Sequence, residues 1–121
     1  MPTVEVSFTA LPAHVRTARL VATAVARRSG VDEALLDEVR LAVGEACSRA
    51  VEAHRLHCPG EPVKLALTDG AGRFEVEVTD TGRPQGFGIA VIAELADDVQ
   101  IRETSAGTSI KMSWPSAGLQ P

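Results

Sequence analysis

The stretch "VKLALTDGAGRFEVEVTD", residues 63–80, decides the fold of this chain. Val63, Leu65 and Leu67 alternate with Lys64, Ala66 and Thr68; after "DGAG" (69–72), Phe74, Val76 and Val78 alternate with Glu75, Glu77 and Thr79. Two period-2 segments joined by a glycine-containing turn predict a β-hairpin. Strands covered on both faces read as continuous apolar runs. The polar alternation here therefore predicts a sheet with helices on one face only.

On the N-terminal side stands "EVRLAVGEACSRAVEAH" (38–54), part of a helix whose apolar face is Leu35, Val39, Ala42, Ala46, Ala50 and Ala53, spaced by three or four. Asp32 is its expected cap, and "CPGEP" (58–62) its end. Small residues on that face allow close packing. Further upstream, Pro12 suits a helix start, Val15, Ala18, Val21, Ala22 and Val25 form a helical stripe, and Gly30 is a natural stop. Val4, Val6 and Phe8 alternate as a strand before it. On the C-terminal side, "TGRPQGFG" (81–88) is a loop opening a short helix, "IAVIAELA" (89–96). Val99 and Ile101, a turn at "SAG" (105–107), then Ile110, Met112 and Trp114 read as a last hairpin. The order β-α-α-β-β-α-β-β predicts a two-layer α/β (α+β) sandwich with a mixed, mostly antiparallel sheet. We expect one domain over residues 1–115 and a flexible tail at 116–121.

Composition narrows the function classes. The chain has 121 residues, 45% hydrophobic, with only three Phe and one Trp, so the core is built from Ala, Val, Leu and Ile. A net charge of −4 gives no electrostatic reason to bind nucleic acid directly. The start, "MPTVEVSFTA", lacks the basic segment and apolar run of a signal peptide, and no apolar stretch approaches the roughly 18 residues of a membrane span. Two cysteines are too few for a disulfide framework. A soluble cytoplasmic protein is expected, with Cys47 as a small buried hydrophobe.

Taken alone, the polar residues read plainly. Glu45 and Arg49, four apart on a helix, form an exposed pair worth about 0.2–0.5 kcal/mol. Asp80 ends a strand as a turn former, and "GFG" (86–88) is a turn at a helix start. His54, His57 and Cys58 in "HRLHC" crowd one helix end and lack the separated pairs of a zinc site, so no metal centre is expected.

Taken in order, "GEACSRAVEAH", "VEVTDTGRP", "GFGIAVI" and "AGT" (106–108) resemble the nucleotide-binding boxes of the GHKL ATPase superfamily. The likeness is strongest to its anti-sigma factor serine-protein kinases and covers residues 4–114. It implies a Bergerat-type fold and a role as a regulator of transcription that switches between a sigma factor and an anti-anti-sigma (STAS-type) protein. An active ATP-dependent serine kinase acting on that antagonist, and a dimeric scaffold without a sigma partner, are the other functions the resemblance allows. A homodimer is compatible with all three.

The resemblance assigns roles only at matching positions. Glu45 matches the general base, but the Asn that ligates Mg²⁺ is replaced by Arg49. Asp80 and Gly82 match the adenine-binding box, whose second glycine is here Pro84. Gly86 and Gly88 match the glycines at a helix start, where free N–H groups favour phosphate. Thr108 matches the threonine supporting the adenine-binding Asp. Only residues 81–85 separate Asp80 from Gly86, where the family carries a longer lid over the triphosphate. Arginine has donors and no acceptor, so Arg49 is no Mg²⁺ ligand, although its charge suits a phosphate. The expectation is ATP or ADP binding weakened or lost, no Mg²⁺, a vestigial Glu45, and partner contacts through Arg16 and Arg19 on the first long helix.

Overall fold

The computed structural model describes residues 3–81 and 89–117. The elements follow the expected order: β1 (Thr3–Phe8), α1 (Pro12–Arg28), α2 (Leu36–His57), β2 (Val63–Gly70), β3 (Arg73–Asp80), α3 (Ile89–Leu95), β4 (Asp98–Thr104) and β5 (Gly107–Pro115). Asp32 caps as expected, its carboxylate accepting from the Ala34 N–H at 2.9 Å. The turn it caps is a short 3₁₀ segment, Glu33–Leu35, that leads into α2.

The five strands form one sheet in the order β1-β2-β3-β5-β4, with every pairing antiparallel. The turn between β2 and β3 holds Ala71 at φ 55° and Gly72 at φ 75°. Positive φ at both central residues gives the twist that suits a two-residue hairpin. The alternation in 63–80 then sets the layers. Val63, Leu65, Leu67, Phe74, Val76 and Val78 are all buried, as are Ile110, Met112 and Trp114 of β5. They share one face, and α1 and α2 cover it. Lys64, Glu75, Glu77, Ser109 and Lys111 stand on the other face, where Ser109 Oγ donates to Glu77 Oε2 at 2.7 Å.

Alanine brings the two long helices together. Ala18, Ala22 and Ala26 of α1 and Ala42, Ala46, Ala50 and Ala53 of α2 are buried, and α1 packs along α2. At Gly44 the Arg19 side chain crosses α2, and a Cβ there would lie 2.7 Å from Arg19 Cδ. Cys47 is fully buried, as expected, and desolvation raises its thiol from 9.0 to about 12 against a lowering by Arg19. That thiol stays protonated and packs as a small hydrophobe. Trp114 is fully buried near the C-terminal end of β5, with its indole Nε1–H donating to the Leu95 carbonyl at 3.2 Å and its ring 6.3 Å from Phe74. Past β5, the Ser116 and Ala117 N–H groups donate to the Gly72 and Gly30 carbonyls. Among the described residues, no helix is long and apolar enough to cross a membrane.

Candidate functional site

Asp80 is the last residue of β3 and shares the parity of Phe74, Val76 and Val78, so its side chain faces α2. Arg49 meets it there: its Nη1 donates to Asp80 Oδ2 at 3.1 Å, with the two side chains only 3% and 1% exposed. This overturns the reading of Arg49 as half of an exposed pair with Glu45. Residues four apart on a helix point about 40° apart, and that small rotation separates the two. Glu45 falls outside the buried arc and is exposed, whereas Arg49 lies within it. A buried ion pair gains little net stability over an apolar pair, yet losing one partner costs about 3–5 kcal/mol. The pair therefore holds α2 to the end of β3.

Thr108 sits opposite Asp80 in the β3–β5 register. It is buried, and its hydroxyl has no hydrogen-bond partner among the described residues. The neighbouring Gly107 has φ 144°, and a Cβ on it would run into the Asp80 carbonyl. The β4–β5 turn thus closes directly on the strand end that carries Asp80. Gly82, Pro84, Gly86 and Gly88 lie outside the described residues. Arg49, Asp80 and Thr108 come together where α2 crosses the end of β3, Glu45 stands on the exposed side of α2, and Arg16 and Arg19 lie on α1. Arg16 is exposed, and Arg19 is half-buried with its stem over Gly44.

His54 is a residue whose role sequence reasoning missed. It is fully buried, its Nδ1 lies 2.7 Å from the Glu61 carbonyl, and its Nε2 accepts from the Thr81 N–H at 2.9 Å. A backbone N–H can only donate, so Nε2 carries the lone pair and Nδ1 the proton. The ring bridges the segment after α2 to the residue after Asp80. Cys58 Sγ, 3.3 Å from the Thr81 hydroxyl, adds a second link. The crowded "HRLHC" is thus a structural clasp, and its signal was positional: His54 follows Ala46 and Ala50 by eight and four residues along the buried side of α2. His54→Ala takes the partner from the Thr81 N–H and the Glu61 carbonyl, at about 0.5–1.5 kcal/mol per bond, and leaves a cavity where a fully buried ring stood. A loss of roughly 2–4 kcal/mol by urea denaturation is expected. A loss below about 0.5 kcal/mol, the level of an ordinary surface change, would show that the clasp carries no load.

A five-stranded antiparallel sheet, helices on one face, and an acid at a strand end facing the second long helix define the ATPase-like class of domain already expected. The family model of the histidine kinase-like ATPase domain matches residues 8–114, and the chain belongs to that family. Among curated proteins it is 29% identical over 134 aligned residues to the serine-protein kinase RsbW of Oceanobacillus iheyensis, covering 91% of this chain and 84% of that one. Among solved structures it matches the RsbU and RsbW domains of a Mycobacterium tuberculosis protein with a TM-score of 0.78 and 21% identity. That match covers 99% of this chain and 35% of the other, so this chain spans about a third of that longer protein.

Proposed function

We propose that the protein is an anti-sigma-type partner-switching regulator of transcription, binding a sigma factor, a STAS-type anti-anti-sigma protein, or both, with nucleotide binding and kinase activity weakened or lost. The observation that carries this reading is Arg49. It stands where the resemblance expects the Mg²⁺-ligating Asn, offers no acceptor, and is engaged with the carboxylate expected to receive adenine. The donor set does not fit Mg²⁺–ATP. The short separation between Asp80 and Gly86 supports the same reading, since phosphoryl transfer needs a positioned γ-phosphate and excluded water.

Partner binding draws on a different part of the molecule. α1 carries Arg16, Arg19, Arg27 and Arg28 and no acidic residue, on a chain of net charge −4. Arg16 and Leu20, one turn apart, are exposed, with Leu20 at 58%. A cationic helix face with an apolar centre suits an acidic partner. Arg16→Glu should weaken capture of a sigma factor or STAS protein by roughly tenfold, chiefly through a slower, more salt-sensitive association. Arg19→Glu is the less clean variant, because its stem packs on Gly44. Recovery of neither partner from cells would defeat the proposal in favour of a scaffold. Transfer of labelled γ-phosphate to a co-purified protein, abolished by Glu45→Ala, would instead establish the active kinase.

A further inference from the structure

We propose that the Arg49 guanidinium is a built-in stopper for an adenine nucleotide, occupying the Asp80 carboxylate so that the protein works without nucleotide. The inference rests on the family reading of Asp80 given above and adds what Arg49 does there. Both side chains are buried, and the 3.1 Å bond joins α2 directly to the end of β3. An incoming adenine would offer Asp80 a neutral amino donor. Arg49 already offers a charged one, and charge-assisted bonds are roughly twice as strong as neutral ones. Arg49 is also tethered, so it loses no translational freedom on binding, whereas a free nucleotide does. Displacing it would leave a cation in a site closed to water. The competition favours the side chain.

Thr108 supplies an independent sign that the end of β3 accommodates more than this pair. Its hydroxyl is buried opposite Asp80 and lacks a partner among the described residues. Buried polar groups are ordinarily hydrogen-bonded, so a lone one beside the carboxylate marks a place where a polar ligand or water fits. With Arg49 shortened, Asp80 and Thr108 together present an acceptor and a hydroxyl on adjacent strands, a pair suited to the edge of a purine. With Arg49 in place, α2 and β3 stay joined in every state, and partner affinity is the same with or without nucleotide.

The test is calorimetric titration of the full chain with ADP, without added Mg²⁺. The unaltered protein should give no saturable heat up to millimolar ADP. Arg49→Asn, whose side chain is too short to reach Asp80, should bind at least about tenfold more tightly, and adding Asp80→Asn should remove that gain. Micromolar binding by the unaltered protein, or a folded Arg49→Asn that binds no better, would overturn the stopper. Should Arg49→Asn fail to fold, the guanidinium N–H signals of Arg49 in the unaltered protein decide the matter by NMR. Signals unmoved by millimolar ADP support the proposal, and a saturable shift refutes it. Failure to capture a sigma factor or STAS protein would defeat the functional proposal but leave these ADP measurements standing, so the two failures are distinguishable.

Discussion

Gly107→Ala is expected to be the most damaging glycine-to-alanine change among the described residues. Glycine tolerates the φ of 144° found there, and an L side chain does not. The added Cβ would also collide with the Asp80 carbonyl oxygen, lying 2.9 Å from its carbon and 2.8 Å from Thr81 Cα. All three obstacles are backbone, so no rotamer change relieves them. Relief requires the β4–β5 turn to lift away from the end of β3, breaking the Asp80–Thr108 and Glu103–Thr108 pairings. A loss of about 4 kcal/mol or more is expected, in the range reserved for backbone strain combined with clash. Small domains hold only about 5–15 kcal/mol in total. Urea denaturation should therefore show a greatly lowered midpoint or no folded baseline at all. A variant within about 1 kcal/mol of the parent would mean that the turn moves freely and that its closure on Asp80 is incidental.

Arg49→Met should cost about 3–5 kcal/mol, because it leaves the Asp80 carboxylate buried without its cationic partner. The double variant Arg49→Met/Asp80→Asn should recover a large part of that loss, since the stranded charge disappears with its partner. The coupling between the two positions, read from a double-mutant cycle, should lie at about 1–3 kcal/mol. Additive effects would show that the 3.1 Å contact carries no energy and that Arg49 acts through its packing alone. Glu45→Ala provides the contrast. Its side chain is exposed, and the change should stay within about 0.5 kcal/mol. Two residues one helical turn apart thus have very different weights, decided by which of them reaches β3.

The layers and their order were legible in the chain because they follow from periodicity. Alternation over 63–80 and 110–114 put one face of each strand in the core, and the alanine stripes of 18–26 and 42–53 put one face of each helix against it. Side-chain period is a local property, so a linear reading suffices. Box order also sufficed to indicate the family, later shown by the model match over residues 8–114. The burial of Arg49 left a trace in the sequence, three residues after Ala46 and four before Ala53, but its spacing from Glu45 points to an exposed pair, and the structure overturns that reading.

What Arg49 does there was not legible. Its partner lies 31 residues away on another element, and only the crossing of α2 over β3 brings the two within 3.1 Å. The same holds for His54, whose two partners come from Glu61 and Thr81, and for Gly107, whose constraint is the carbonyl of Asp80 on the adjacent strand. Sequence by itself determined which faces are apolar, and with them the two-layer architecture, because burial of alternating and three-to-four-spaced residues needs no knowledge of the partner. Only the tertiary structure decided that the Arg49 guanidinium turns inward onto the Asp80 carboxylate at the strand end, because a buried charge takes whichever opposite charge the packing places within reach.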